Sequence, residues 1–208
     1  EDDSETGVGS TREQWITYRD AQTYRNIVLK GPLFPINSLM LHGIIYAKEN
    51  RKLNTDPGHD FANEVHSYFA TGTELQELYI TPSLLSDHDW DVLAEAANWS
   101  RANADVLRDT HWIGGDPDRL DVYGWAAWSP RKSIITLRNP SEHAQLAVID
   151  LQRQLQLPQG AVHRFSVHDV WKTGGSDVPQ QLDADHAGTI QLAPFEVLTL
   201  ELTPLTEH

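Results

Sequence analysis

The chain has 208 residues, long enough for one or two domains with a proper core, and carries a formal net charge of −14. That balance leaves no basic stripe to displace counterions from a nucleic acid and suits a protein that handles neutral ligands. With no cysteine, disulfides, thiolate nucleophiles and Cys-based zinc sites are excluded, and no apolar run approaches the length of a membrane span.

The opening Glu1-Asp2-Asp3-Ser4-Glu5 has neither an initiator Met nor a signal peptide, which suggests a processed chain or a piece of something larger. Ser10-Thr11-Arg12-Glu13 has capping-box spacing and starts a helix. Trp15, Tyr18, Gln22 and Arg25 share one face of it, and Gly31-Pro32 is its stop signal. Residues 33–47 form an apolar stretch broken at Pro35 and Gly43, read as a strand followed by a loop. Asn54-Thr55-Asp56-Pro57-Gly58 is turn chemistry. A second helix is expected over residues 60–70 with Gly72 ending it, then a strand over 74–81 with Leu75, Leu78 and Ile80 buried.

Ser86-Asp87-His88-Asp89 sets a hydroxyl cap and two carboxylates against the positive end of a helix dipole. Trp90, Leu93, Ala94, Ala97 and Arg101 then recur at helical spacing up to about Leu107. Gly114-Gly115-Asp116-Pro117 marks the expected boundary between two halves. Beyond it, residues 122–130, 133–140, 147–151, 165–171, 189–194 and 196–202 each have strand length and β-branched or aromatic content, bounded by Gly, Pro, Asn or Asp.

Helix and strand alternate in the first half, which implies parallel strands joined by crossover helices. Only about two strands are available there, too few to bury both faces and both edges. The expected fold class is therefore α/β plus all-β. Residues 1–115 read as the last βα units of a (β/α)8 barrel, and residues 116–208 as an antiparallel β-sandwich.

The second half runs Trp125-x-x-Trp128, a strand ending Leu137-Arg138-Asn139-Pro140, an Asp169-x-Trp171 corner and a closing strand after Ala193-Pro194. Upstream lie Gly31-Pro32 and Asn37-Ser38-Leu39-Met40-Leu41, and, ahead of a Trp-bearing helix, Asp2-Asp3-Ser4. Taken in this order, the segments resemble the C-terminal portion of a clan D glycoside hydrolase of the α-galactosidase or melibiase type. In that family a catalytic (β/α)8 barrel precedes an antiparallel β-domain. The family's Asp-Pro-Asp-Met-Leu segment lines the sugar pocket, and Asn37 and Leu39 stand where it has its two Asp residues. Leu39 cannot accept a hydrogen bond from a sugar hydroxyl, so the substrate need not be a simple galactoside.

The resemblance implies a retaining glycoside hydrolase acting on an α-linked sugar such as an α-galactoside. Such an enzyme needs two carboxyl groups roughly 5 Å apart. The family's nucleophilic aspartate lies on an earlier barrel strand, so this chain would supply only the acid/base side. Asp2, then Asp3, is the candidate acid, because crowded carboxylates raise one another's pKa. A frayed, solvated acidic terminus is the other reading of the same residues.

Asn37 and His42 are candidate sugar contacts where a strand meets its loop, with a structural polar pair satisfied by backbone as the alternative. Glu77 is a third on a strand otherwise apolar, with an exposed strand position as the alternative. Trp15, Trp90 and Trp99 carry the faces a pyranose could stack on, with helix packing as the alternative; Trp125, Trp128 and Trp171 read as core. His59 and His66 are a weak metal candidate, and no metal or cofactor is expected. The expected partners are a carbohydrate substrate and a missing N-terminal barrel segment, with no nucleic acid and no membrane. The compartment is left open, a periplasmic or secreted bacterial protein being one that fits. A non-catalytic carbohydrate-binding or scaffold module with a glycosidase-like fold is the alternative function.

Overall fold

The computed structural model describes residues 6–31, 33–172 and 174–205. Asp2 and Asp3 lie outside the described residues.

Helix α1 (Thr11–Asn26) begins at the expected cap, with half of the expected capping box: the Ser10 Oγ accepts the Glu13 N–H at 3.1 Å, while the Glu13 carboxylate turns away to Arg138 and Asn63. The path then tightens to a 3-10 turn over Val28–Lys30 and leaves through Gly31 at φ 65°, a left-handed conformation that glycine adopts without a Cβ penalty. Residues 33–47 reverse the expected order, with loop first and strand second. Leu33 is 94% exposed, Pro35 supplies no N–H to a ladder, and Ile36–Ser38 close a 3-10 turn. Strand β1 is only Ile44–Tyr46, at the β-branched end of the run.

Helix α2 (Phe61–Phe69) follows the predicted turn and stops ahead of Gly72 at φ 68°. Strand β2 (Leu78–Ile80) is shorter than expected and its apolar residues are not buried: Leu75 is 61% and Leu78 46% exposed. Leu75 falls in the preceding loop, and among the described residues β2 has a hydrogen-bonded neighbour on one side only. Helix α3 (Asp87–Ala102) breaks at Asn103, whose Nδ2 turns back to the Trp99 carbonyl at 3.0 Å, and a short α4 (Ala104–Leu107) continues from it.

The remaining elements are β3 (His111–Gly114), β4 (Tyr123–Trp128), β5 (Ser133–Arg138), β6 (Gln145–Ile149), α5 (Leu151–Gln154), β7 (Arg164–Asp169), β8 (Gln181–Asp183), β9 (Gly188–Leu192) and β10 (Val197–Pro204). Two of these strands, β3 and β8, are additional to the sequence reading. Leu151 leaves the expected strand because Asp150 accepts the Arg153 N–H at 3.1 Å and starts a helical turn.

β1 and β2 pair in parallel, with α2 in the connection between them. The other pairings are antiparallel: a six-stranded sheet in the order β3-β4-β5-β10-β7-β8, and a β6–β9 ribbon. Side chains alternate across the sheet. Ile135, Leu137, Leu200 and Leu202 turn one way and share a core with Ala147, Ile149, Ile190 and Leu192 of the ribbon. Trp125 turns the other way and packs with Val65, Phe69 and Leu93 of the helices, as Ala127 and Ile134 do with Val106 and Leu107. The six-stranded sheet is thus a middle layer, with the ribbon on one face and the helices on the other.

Candidate functional site

Parallel pairing in the register Ile44↔Leu78, Ile45↔Tyr79 and Tyr46↔Ile80 makes both strands finish on the same side. There the chain forms a cleft of about 270 Å³, lined by Tyr46, Asp56, His59, Phe61, Ser86 and His88 among others. In parallel α/β architectures this is the side on which functional residues collect.

Each wall has a local cause. The predicted turn brings Asp56 back so that its carboxylate accepts the N–H groups of Asp60 (3.2 Å) and Phe61 (3.0 Å), opening α2, and pairs with Arg12 Nε at 3.1 Å. His59 sits in this turn at φ 56°, a strained conformation for a side-chain-bearing residue. The opposite wall is the start of α3. Asp89 accepts from the Ser86 N–H (2.9 Å) and Oγ (2.7 Å), completing a capping box that displays His88 in the first turn. Both carboxylates of the cleft are therefore committed to the protein's own donors.

Tyr46, the last residue of β1, forms the floor. Its ring packs under the Arg12 guanidinium, 4.7 Å from the centroid, and against Phe61 at 5.5 Å. Burial holds its pKa above the usual phenol value, reinforced by Asp56 and opposed by Arg12. The frame behind this floor is Glu64, fully buried on α2. It pairs with Arg12, accepts the Trp15 Nε1–H at 3.1 Å and accepts the Ile45 N–H at 2.9 Å, locking α1, α2 and β1 together.

The residues picked from sequence fall elsewhere. His42 and Glu77 do come together, in a second cleft of about 220 Å³ with Met40 and Gln22, but both precede their strands, so this cleft lies at the opposite, N-terminal ends. Asn37 is buried in the 3-10 turn, where its Nδ2 donates to Glu74 at 3.4 Å and its carbonyl accepts the Glu74 N–H at 2.9 Å. Trp15 is buried among Ile45, Leu53 and Tyr18, with its indole N–H used by Glu64. Of the other tryptophans, Trp99 donates to Glu201 at 2.8 Å, and Trp171 stacks on His66 at 4.2 Å with the planes 1° apart. His66 is thus a packing residue, well separated in role from His59. Among the described residues no group of three or more His, Asp or Glu side chains is disposed to hold a metal ion.

Tyr46 and His88 were not singled out from sequence. Tyr46 ends β1, and reading it as a site residue required β1 at the right end of residues 33–47. His88 lies in the first turn of α3, eight residues beyond β2, where no strand-end signal marks it.

No protein-family model and no curated protein matches this sequence. Solved structures do match the fold. A Bacillus halodurans protein assigned as an α-N-acetylgalactosaminidase matches with a TM-score of 0.59 at 12% identity, over 93% of this chain and 44% of its own. A GH27 β-L-arabinopyranosidase variant from Geobacillus stearothermophilus, solved with arabinose, matches at 0.53 and 13% identity over 93% and 43%. α-Galactosidase I from Mortierella vinacea matches at 0.50 and 12% over 77% and 40%. The chain spans less than half the length of each of these proteins. At such identities the likeness is one of fold: the chain's helices and antiparallel sheets are arranged like part of these proteins.

Proposed function

We propose that the chain is the C-terminal portion of a retaining glycoside hydrolase that acts on an α-linked sugar such as an α-galactoside. In this reading residues 1–115 close a (β/α)8 barrel and residues 116–208 form its β-sandwich domain. The observation that carries the reading is the β1–α2–β2 unit. Parallel strands normally lie buried within a larger sheet, yet among the described residues the pair has no further strand, and Leu78 and Tyr79 of β2 are 46% and 55% exposed. Those side chains suit a neighbouring barrel strand. The fold likeness to part of several glycosidases supports the same assignment.

A retaining mechanism needs a nucleophile and an acid/base on either side of the scissile bond. The reading gives the nucleophile to the preceding barrel strands and the acid to Asp2 or Asp3, on the strength of the family resemblance. The cleft of Tyr46, His59 and His88, at the barrel's C-terminal side, is the part of the sugar site that the described residues contribute. Asn37, His42 and Glu77 remain candidate contacts only for a ligand reaching the opposite ends of the strands.

The test is an aryl α-glycoside panel on the whole gene product that contains this chain. Hydrolysis that Asp2→Asn or Asp3→Asn lowers by at least about a hundred-fold supports the assignment, since general acid catalysis contributes on that scale. A gene product no longer than this chain, or one inert on every α-glycoside, overturns it.

A further inference from the structure

We infer that the hydroxyl of Tyr46, with the imidazoles of His59 and His88, forms a recognition subsite for one neutral sugar ring and discriminates against its anionic counterparts. This deepens the glycosidase reading and rests on it for the identity of the ligand as a sugar.

The first ground is Tyr46 itself. The residue is only 8% exposed, and its ring is fixed between Arg12 and Phe61, so the hydroxyl has little freedom. Among the described residues the hydroxyl makes no hydrogen bond, and it borders the cleft. The ring is what is buried; the hydroxyl is open to the cleft, and on a fixed ring it is placed both to donate to a ligand and to accept from it.

The second ground is the chemistry of the walls. His59 and His88 stand exposed on opposite walls, and each imidazole can donate from one nitrogen and accept at the other. No Lys or Arg lines the cleft. Arg12, over the Tyr46 ring, is already paired with Asp56 and Glu64. The two carboxylates of the walls are satisfied by backbone and hydroxyl donors, yet their charges remain. Such a site offers paired donors and acceptors to hydroxyl groups and repels a carboxylate or phosphate. Its volume of about 270 Å³ has room for a single ring.

Ligand-observed NMR titration of the chain with methyl α-D-galactopyranoside and with galacturonate tests this. The neutral glycoside should bind, and galacturonate should bind about ten-fold more weakly or worse. Tyr46→Phe keeps the ring in its packing and removes only the oxygen, and His88→Ala trims an exposed side chain, so neither threatens the fold. Each should weaken the neutral ligand about five-fold. Ala62→Lys, which adds a cation to the cleft wall, should improve galacturonate relative to the neutral glycoside. Absence of binding, equal binding of both sugars, or unchanged binding by Tyr46→Phe and His88→Ala overturns the subsite. The two proposals fail separately. Hydrolysis by the whole gene product with KM unchanged in these variants sinks the subsite and leaves the glycosidase standing. Binding here without hydrolysis does the reverse.

Discussion

Arg138 of β5 and Glu13 of α1 form an ion pair of 2.7 Å with both side chains sealed from solvent, joining residues 125 positions apart. Arg138 also donates to the Tyr123 hydroxyl (2.7 Å), to Thr17 Oγ1 (2.9 Å) and to the Glu13 carbonyl oxygen (3.0 Å). Tyr123 passes its own proton toward Asp20 at 2.6 Å, and Asp20 holds Arg19 at 2.9 Å. A buried polar chain therefore runs from the six-stranded sheet into α1, whose buried face is itself largely polar. Burial pushes the Glu13 carboxyl up, and Arg138 pulls it back.

Such a network offsets its desolvation cost only while complete. Arg138→Met strands the Glu13 carboxylate in the interior and should cost about 3–5 kcal/mol. The double variant Arg138→Met with Glu13→Leu removes both charges and should recover much of that loss. Urea unfolding of the wild type, the two single variants and the double variant measures it. If the double variant is as unstable as the sum of the singles, the two residues are not energetically coupled.

The stack of His66 on Trp171 predicts a pH effect. Burial lowers the His66 pKa from 6.5 to about 4, and neither His66 Nδ1 nor the Trp171 indole N–H has a partner among the described residues. Between those two values the unfolded chain binds a proton that the folded chain refuses. The stability tied to His66 is thus whole above about pH 6.5 and falls as pH drops toward 4, by about 3 kcal/mol in all. His66→Phe keeps an aromatic ring on Trp171 and should flatten that part of the profile. Parallel acid profiles for both proteins would remove His66 as the cause.

The capping box at Ser86 should matter far less than the buried pair. Ser86→Ala removes the acceptor for the Asp89 N–H at 3.2 Å and should cost about 1 kcal/mol, with Ser86→Gly costing only a few tenths. Thermal unfolding resolves the difference. A Ser86→Ala loss matching that of Arg138→Met would mean that α3 depends on its cap beyond the ordinary end effect.

The contrast between Ser86 and Arg138 also explains what the sequence made legible. The cap at Ser10, the capping box at Ser86, the turn at Asp56, and the runs that became β4, β5 and β10 are set by residues close together in the chain. Their signals survive without tertiary knowledge. Arg138, Glu13 and Glu64 acquire their roles from partners 15 to 125 positions away, and nothing local distinguishes them from surface charges. Short elements were missed for a related reason. Gln181–Asp183 offers three residues and one apolar side chain, too little for a period to show. The cleft was missed because the strand was assigned to the wrong end of residues 33–47, which moved its C-terminal end away from Tyr46.

The open edge of β2 gives the last prediction, and its sign depends on context. Ladder groups and apolar side chains at an unpaired edge invite association, and a lysine placed there suppresses it. Leu78→Lys should therefore reduce self-association of this chain in light scattering without lowering its melting temperature, because Leu78 is already half exposed. In the whole gene product the same substitution should be destabilising, since a barrel would cover that side chain with its next strand and bury an unpaired charge. A neutral effect in both proteins would mean that nothing pairs with β2, and the barrel-closing role of residues 1–115 would go with it.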